Sequence, residues 1–153
     1  MAWHNAHDAY LESKVLSAGP VELVRILYQT AANSVREGRR HLEAGDIMAR
    51  SRAITKASQA LLELTRSLDF SRGGEIAKRL AQIYAYMLRR LTEANFRQVD
   101  PPLAEVLALL ATLSEAWEAI GTAPTAAQPD TRWARAALQP DHATAAAANA
   151  WSF

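Results

Sequence analysis

No cysteine occurs among the 153 residues, which excludes disulfides and thiolate metal sites together. Neither sign of charge prevails: 17 Lys and Arg stand against 16 Asp and Glu, for a formal charge of +1. A nucleic-acid binder shows a basic face and a high isoelectric point, so no nucleic-acid partner is expected. No apolar run approaches the roughly 18 residues that a membrane span requires, so no membrane insertion is expected. Met1 to Tyr10 lack the apolar h-region of a signal peptide, which makes the cytoplasm the default compartment. The chemistry-bearing sets are missing as well. The four histidines, His4, His7, His41 and His142, are scattered. No Glu is followed by His three residues on, whereas di-iron bundles need such pairs projecting inward. A phosphotransfer bundle needs an exposed histidine in mid-helix, and only His41 falls on a helix, near its end among arginines. No Ser/His/Asp set shows a usable spacing. The pair Gly73–Gly74 lacks the Lys-Ser/Thr end and the preceding strand of a phosphate loop. The expectation is therefore a chain with no catalytic residue, no metal and no cofactor, and not an enzyme.

What is abundant is leucine and alanine. Half the residues are hydrophobic while only 7% are aromatic, and Val, Ile and Thr are sparse, a mixture that favours helix over sheet. The first helix is predicted to start at Pro20, which suits the first helical position because its missing N–H has no intrahelical role there. Gly19 is then the N-cap, and Glu22 is placed to reach back to the cap N–H. Leu23, Leu27, Ala31 and Val35 form its stripe, widened by Val24, Tyr28 and Leu42. Gly45 closes it as a left-handed residue. Asp46 caps the second helix, whose stripe is Ile47, Ile54, Ala57, Leu61, Leu64 and Leu68, with Met48 and Leu62 beside it. That helix is predicted to fail near Asp69–Ser71. Gly73 and Gly74 break the chain before the third helix, either as a tight turn with positive φ or as a close approach of two helices. The third stripe is Ile76, Leu80, Ile83, Met87, Leu91 and Ala94. Tyr84 and Leu88 flank it, Arg89 and Arg90 face outward with Glu93 as a partner for Arg89, and Asn95 marks the end. Asp100 and Pro101 open the fourth helix as N-cap and first helical residue. Its stripe is Leu103, Val106, Leu110, Leu113, Trp117 and Ile120, and Gly121 stops it. Four helices of similar length with short connections predict an all-α, antiparallel up-down-up-down four-helix bundle.

Three regions follow: an N-terminal covering segment over 1–18, the bundle over 19–121, and an Ala/Pro-rich tail over 122–153. The first segment holds Trp3, Tyr10, Leu11, Val15 and Leu16 before any long helix begins. Each costs roughly 1.5–3 kcal/mol if left fully in water, so they should lie on the bundle or on something that takes their place there. The tail composition reads as disordered, with short helices at 132–138 and 142–150 as the alternative. Phe70, Tyr84 and Tyr86 put aromatic rings around one helix–helix corner, where groove lining and core filling are both open readings.

Several runs, taken in order, resemble the flagellin export chaperone family, FliS. They are YLESKV from Tyr10 to Val15, GPVEL from Gly19 to Leu23, Leu27-Tyr28, EAGD from Glu43 to Asp46, and SLD from Ser67 to Asp69. GGEIAK from Gly73 to Lys78, YAYMLRRLTEAN from Tyr84 to Asn95, and Ala116-Trp117 complete the set. The likeness covers about residues 5–121. The chain departs from it at Gly19, where the family usually has Ser, and at Ala85, where it often has Asp. The resemblance implies a cytoplasmic chaperone that binds the disordered C-terminal segment of flagellin, prevents its premature polymerisation and supports its export. An export-gate component and flagellar regulators are the further partners it implies. A helical bundle can offer grooves to the amphipathic ends of such a client. The resemblance also implies a displaceable N-terminal cover, assigned to Tyr10 and Val15. Groove residues are assigned to Leu62, Leu68, Phe70, Ile76, Leu80 and Tyr84. A structural adaptor bundle or a phosphotransfer-type signalling module is the alternative, and the oligomeric state stays open.

Overall fold

The computed structural model describes residues 19–122, which after Gly19 lie within or between four helices. In chain order these are α1 (Pro20–Ala44), α2 (Ile47–Arg66), α3 (Phe70–Arg97) and α4 (Pro101–Thr122). Each packs along the two beside it: α1 on α2 and α4, and α3 on α2 and α4. That ring of neighbours, closed by tight turns, is the antiparallel up-down-up-down bundle expected from the periodicity. The predicted cover residues Tyr10 and Val15 lie outside the described residues, as do Trp133, Trp151 and Phe153.

The helix boundaries follow from local chemistry. Gly19 precedes Pro20 in extended conformation, and Gly45 ends α1 at φ 74°, ψ 14°, its N–H returned to the last carbonyls of the helix. Only a residue without a Cβ takes that left-handed geometry freely. The Asp46 carboxylate accepts from the Ala49 N–H at 3.0 Å and starts α2. Glu22, expected to reach back toward the Gly19 N–H, accepts instead from the Arg25 guanidinium at 3.1 Å.

The core stripe of α1 is rotated by one residue from its predicted centre. Val24, Tyr28, Ala31 and Val35 are buried, while Leu23 and Leu27 are only partly so. In α2 the inner positions are Ala53, Ile54, Ala57, Ala60, Leu61 and Leu64. Ile47, counted on this stripe, is 55% exposed, and Arg50 holds the first inward position instead. The α1–α2 pair comes close at Gly38, where an added Cβ would meet Ile54 Cγ1 at 3.4 Å.

The third helix begins earlier than the glycine pair implies. Asp69, not a glycine, is the cap, and its Oδ1 accepts from the N–H groups of Ser71 and Arg72. One turn later Gly74 sits at φ 51°, ψ −128° and kinks the helix rather than preceding it. Nothing lies within 4 Å of a Cβ built there, so the backbone angle and not crowding demands glycine. Gly73 beside it is buried. The helix passes Asn95 and ends at Arg97, with Gln98 in left-handed conformation (φ 58°) as its terminal residue. In α4, Leu103, Val106, Leu110 and Trp117 are buried as predicted, and the helix continues through Gly121 to Thr122.

Candidate partner-binding surface

Alongside ion pairs within single helices, such as Arg66–Glu63 and Lys78–Glu75, one set of polar side chains in this bundle ties helices to each other. Across its diagonal, Tyr28 of α1 and Tyr84 of α3 meet hydroxyl to hydroxyl at 2.5 Å, and the Trp117 indole N–H of α4 donates to Tyr28 at 2.9 Å. Both tyrosines are buried. Desolvation pushes Tyr28 up to about 12 despite its two hydrogen bonds. Tyr84 is pushed up further by the same burial, with Tyr28 adding to it. Both phenols therefore stay neutral and act as hydrogen-bonding pins, not as acids.

Charged ties surround this centre. The Arg39 guanidinium of α1 donates in two-point fashion to Asp100 at the start of α4, at 2.7 and 3.0 Å, which holds its proton more tightly. On the α3–α4 face Arg90 pairs with Glu105 at 2.8 Å and with Glu93. Tyr86 donates to the same Glu105, and these bonds, the tyrosine's foremost, lower the carboxyl below its usual range. Arg90, expected to face outward, is thus partly buried between helices. Glu93, expected to serve Arg89, is taken by Arg90 and Arg97, while the Arg89 guanidinium lies 5.9 Å from the Tyr86 ring centre. Arg50 is buried and donates to the Asn95 side chain at 3.1 Å, to the Asn95 carbonyl and to Gln98 Oε1. Ser51 donates to the same Asn95 oxygen.

The apolar side chains that remain accessible lie elsewhere. Leu62 in the last turns of α2 and Phe70 at the start of α3 are exposed, and Ile76 is half-buried. Leu68 and Leu80 are buried in the core near them. Tyr84 sits at 0% exposure in the centre, so of the six predicted groove positions three are open to a partner while the bundle stays closed. A second accessible feature is a cleft of about 360 Å³ between α1 and α4. Tyr28 and Trp117 are among its lining residues, with Ile26 and Leu107, and Arg25, Gln29 and Arg36 also face it. Among the described residues no group of three His, Asp or Glu is placed to hold a metal ion, and no helix is long and apolar enough to cross a membrane.

Sequence reading missed two features. Arg50 carried a signal: it stands four residues before Ile54 on the inner face, where a charge needs a partner. The exposed end formed by Ile47, Met48, Phe96 and Val99 carried a weaker one. Phe96 falls out of phase with Leu91 and Ala94, which pointed it away from the core.

Fold and surface together define an all-α four-helix bundle with interhelical polar ties, several exposed apolar side chains and a cleft between α1 and α4. A family model described as "Flagellar protein FliS" matches residues 3–124. The flagellar secretion chaperone FliS of Salmonella typhimurium is 40% identical over 111 residues, covering 72% of this chain and 82% of that one. Flagellar secretion chaperone FliSB of Pseudomonas aeruginosa is 34% identical over 72% of this chain and 87% of its own. For FliS of Bacillus subtilis the figures are 30%, 77% and 87%. The chain belongs to the FliS family of flagellar secretion chaperones.

The run from Tyr84 to Asn95, which carried much of the resemblance, is explained by this geometry. Tyr84, Arg90, Glu93 and Asn95 each make one of the ties described above. The motif is foremost a set of fastenings.

Proposed function

We propose that this protein holds the disordered C-terminal segment of a flagellin in the cytoplasm, keeps it from polymerising early and supports its export. The observation that carries the reading is accessible apolar side chains around the α2–α3 turn, Leu62 and Phe70 exposed and Ile76 half-buried, on a bundle of this family. An amphipathic segment lays its apolar face on such side chains and pays its ordering entropy on the surface, which tempers affinity and favours later release. Holding of this kind uses no bond-making chemistry, so the protein is read as non-enzymatic and free of cofactors. Residues 1–18 join the bundle at Gly19, within two turns of Glu22 and Arg25 at one end of the α1–α4 cleft. Tyr10 and Val15 are read, with the family resemblance, as a cover that a client displaces. An export-gate component and flagellar regulators belong to the same proposal as further partners.

Calorimetric titration of the whole protein with a flagellin C-terminal peptide tests the reading. Saturable heat is expected, lost when the peptide's apolar residues are replaced by serine. No heat at high micromolar concentrations would overturn it. Tyr10→Ala is expected to change the affinity for that peptide while leaving the melting temperature nearly unchanged.

A further inference from the structure

Four large apolar side chains stand exposed at the end of the bundle where α1 turns into α2 and α3 into α4. Ile47 and Met48 open α2 at 55% and 66% exposure, and Phe96 and Val99 close α3 at 86% and 38%. The two segments are fixed side by side. Asn95 Oδ1 accepts from Arg50 and Ser51, each at 3.1 Å, and Gln98 Oε1 accepts from Arg50 at 3.3 Å. The patch thus stands on a rigid frame, at the far end of the bundle from Leu62 and Phe70. Large apolar side chains exposed together on two joined segments mark a docking site more often than the same residues scattered singly do.

We propose that residues 143–153 of the same chain, led by Trp151 and Phe153, dock on this end. The described fold leaves 31 residues beyond Thr122, and the family match stops at 124. Those residues leave α4 at the end opposite the patch, so they must cross the length of α4, about 33 Å for 22 residues. A flexible chain as long as the 29 residues from Thr122 to Trp151 has a root-mean-square span of about 30 Å, which covers the distance without stretching. Trp133, only 11 residues on, reaches the patch at close to full extension, about 36–40 Å. Charge separates the two tryptophans further. Ala143 to Phe153 contain no Asp, Glu, Lys or Arg, whereas Trp133 lies between Arg132 and Arg135. Seating the former on an apolar patch strips no side-chain charge of water.

The absence of cysteine makes the test clean. Met48→Cys and Ser152→Cys are combined in the full chain, and closure of the intramolecular disulfide is timed with oxidised glutathione at low protein concentration. Leu62→Cys with Ser152→Cys is the reference. An undocked tail meets position 62 more often, because that position lies nearer the point where the tail leaves α4. Docking reverses the order: the Met48→Cys pair closes faster by about tenfold, the low end of what burying one large apolar side chain supplies. Adding Trp151→Ala, or Phe96→Asp on the patch, then removes that advantage. Equal rates, faster closure of the Leu62→Cys pair, or an advantage that survives Trp151→Ala would each overturn the proposal. Disulfide-linked dimers in place of closed monomers would assign the patch to a second copy of the chain and overturn it as well.

Discussion

The centre of the bundle and the α2–α3 corner use aromatic residues in opposite ways. At the centre, Tyr28, Tyr84 and Trp117 are buried, and each has its polar atom satisfied by another. At the corner, Phe70 is half exposed and Leu62 nearly so, and neither has a polar atom to anchor it. The Tyr28–Tyr84–Trp117, Arg39–Asp100, Arg90–Glu105 and Arg50–Asn95 ties each join different helices. The corner carries apolar surface above a closed core of Leu68 and Leu80. On the proposed function the two serve different ends: the ties keep the helices together while a guest is bound, and the bare corner offers it apolar surface.

Tyr84→Ala is the hardest blow to that division. It empties a fully buried ring position and leaves Tyr28 with Trp117 as its remaining partner. The expected loss is about 3–5 kcal/mol, the usual range for deleting a buried aromatic ring. Tyr84→Phe keeps the volume and removes only the hydroxyl, at a cost of about 1–2 kcal/mol. Urea unfolding of both variants checks the order. If Tyr84→Ala unfolded like the parent while client binding fell, Tyr84 would belong to the corner and not to the centre.

Alkaline pH attacks the same centre by a different route. Burial raises Tyr28 to about 12 and Tyr84 in the same direction, while unfolded tyrosines ionise near 10. The folded chain therefore keeps protons that the unfolded chain releases. Their stabilising effect is whole below about pH 10 and is lost as pH climbs from there toward the folded value, by up to about 1.4 kcal/mol per pH unit for each phenol. Thermal melts between about pH 9 and pH 11.5 should show a falling midpoint. The double variant Tyr28→Phe/Tyr84→Phe should show a shallower fall from a lower start. Equal slopes would mean that the centre is wetter than its packing implies.

The periodicity of the sequence was enough for the four helices, the turn at Gly45, the Asp46 cap and most of the core of α4. It was blind to phase within α1, because Leu23 and Val24, like Leu27 and Tyr28, are both apolar and either could lead the stripe. It misplaced the start of α3 because two adjacent glycines read as a break. A single left-handed residue can instead bend a helix already capped by Asp69. Tyr84 was legible only as an aromatic flanking the inner stripe of α3, open to groove or core, and its partner lies 56 positions away in the chain. No local pattern reports a diagonal contact of that kind. Of the candidate surface, Leu62, Phe70 and Ile76 were named from the resemblance and stand accessible in the structure. Leu68, Leu80 and Tyr84 share their hydrophobic character and differ only in depth, which sequence does not encode.

Phe70→Ser is the gentlest probe and the most telling. Phe70 occupies the first position of α3, half in water, behind an Asp69 cap that does not involve its side chain. Serine is tolerated at the start of a helix, so the melting transition should move by no more than about 0.5 kcal/mol, as for other exposed substitutions. On the proposed binding surface the same change removes an aromatic anchor, and affinity for a flagellin C-terminal peptide should fall by about tenfold or more. Thermal melts and calorimetric titration on one preparation read both effects. A variant that melted like the parent and bound the peptide equally well would move the client off this corner, leaving the α1–α4 cleft as the surface to test next. A large loss of stability would instead make Phe70 part of the core despite its exposure, and the contrast between centre and corner would fail at this residue.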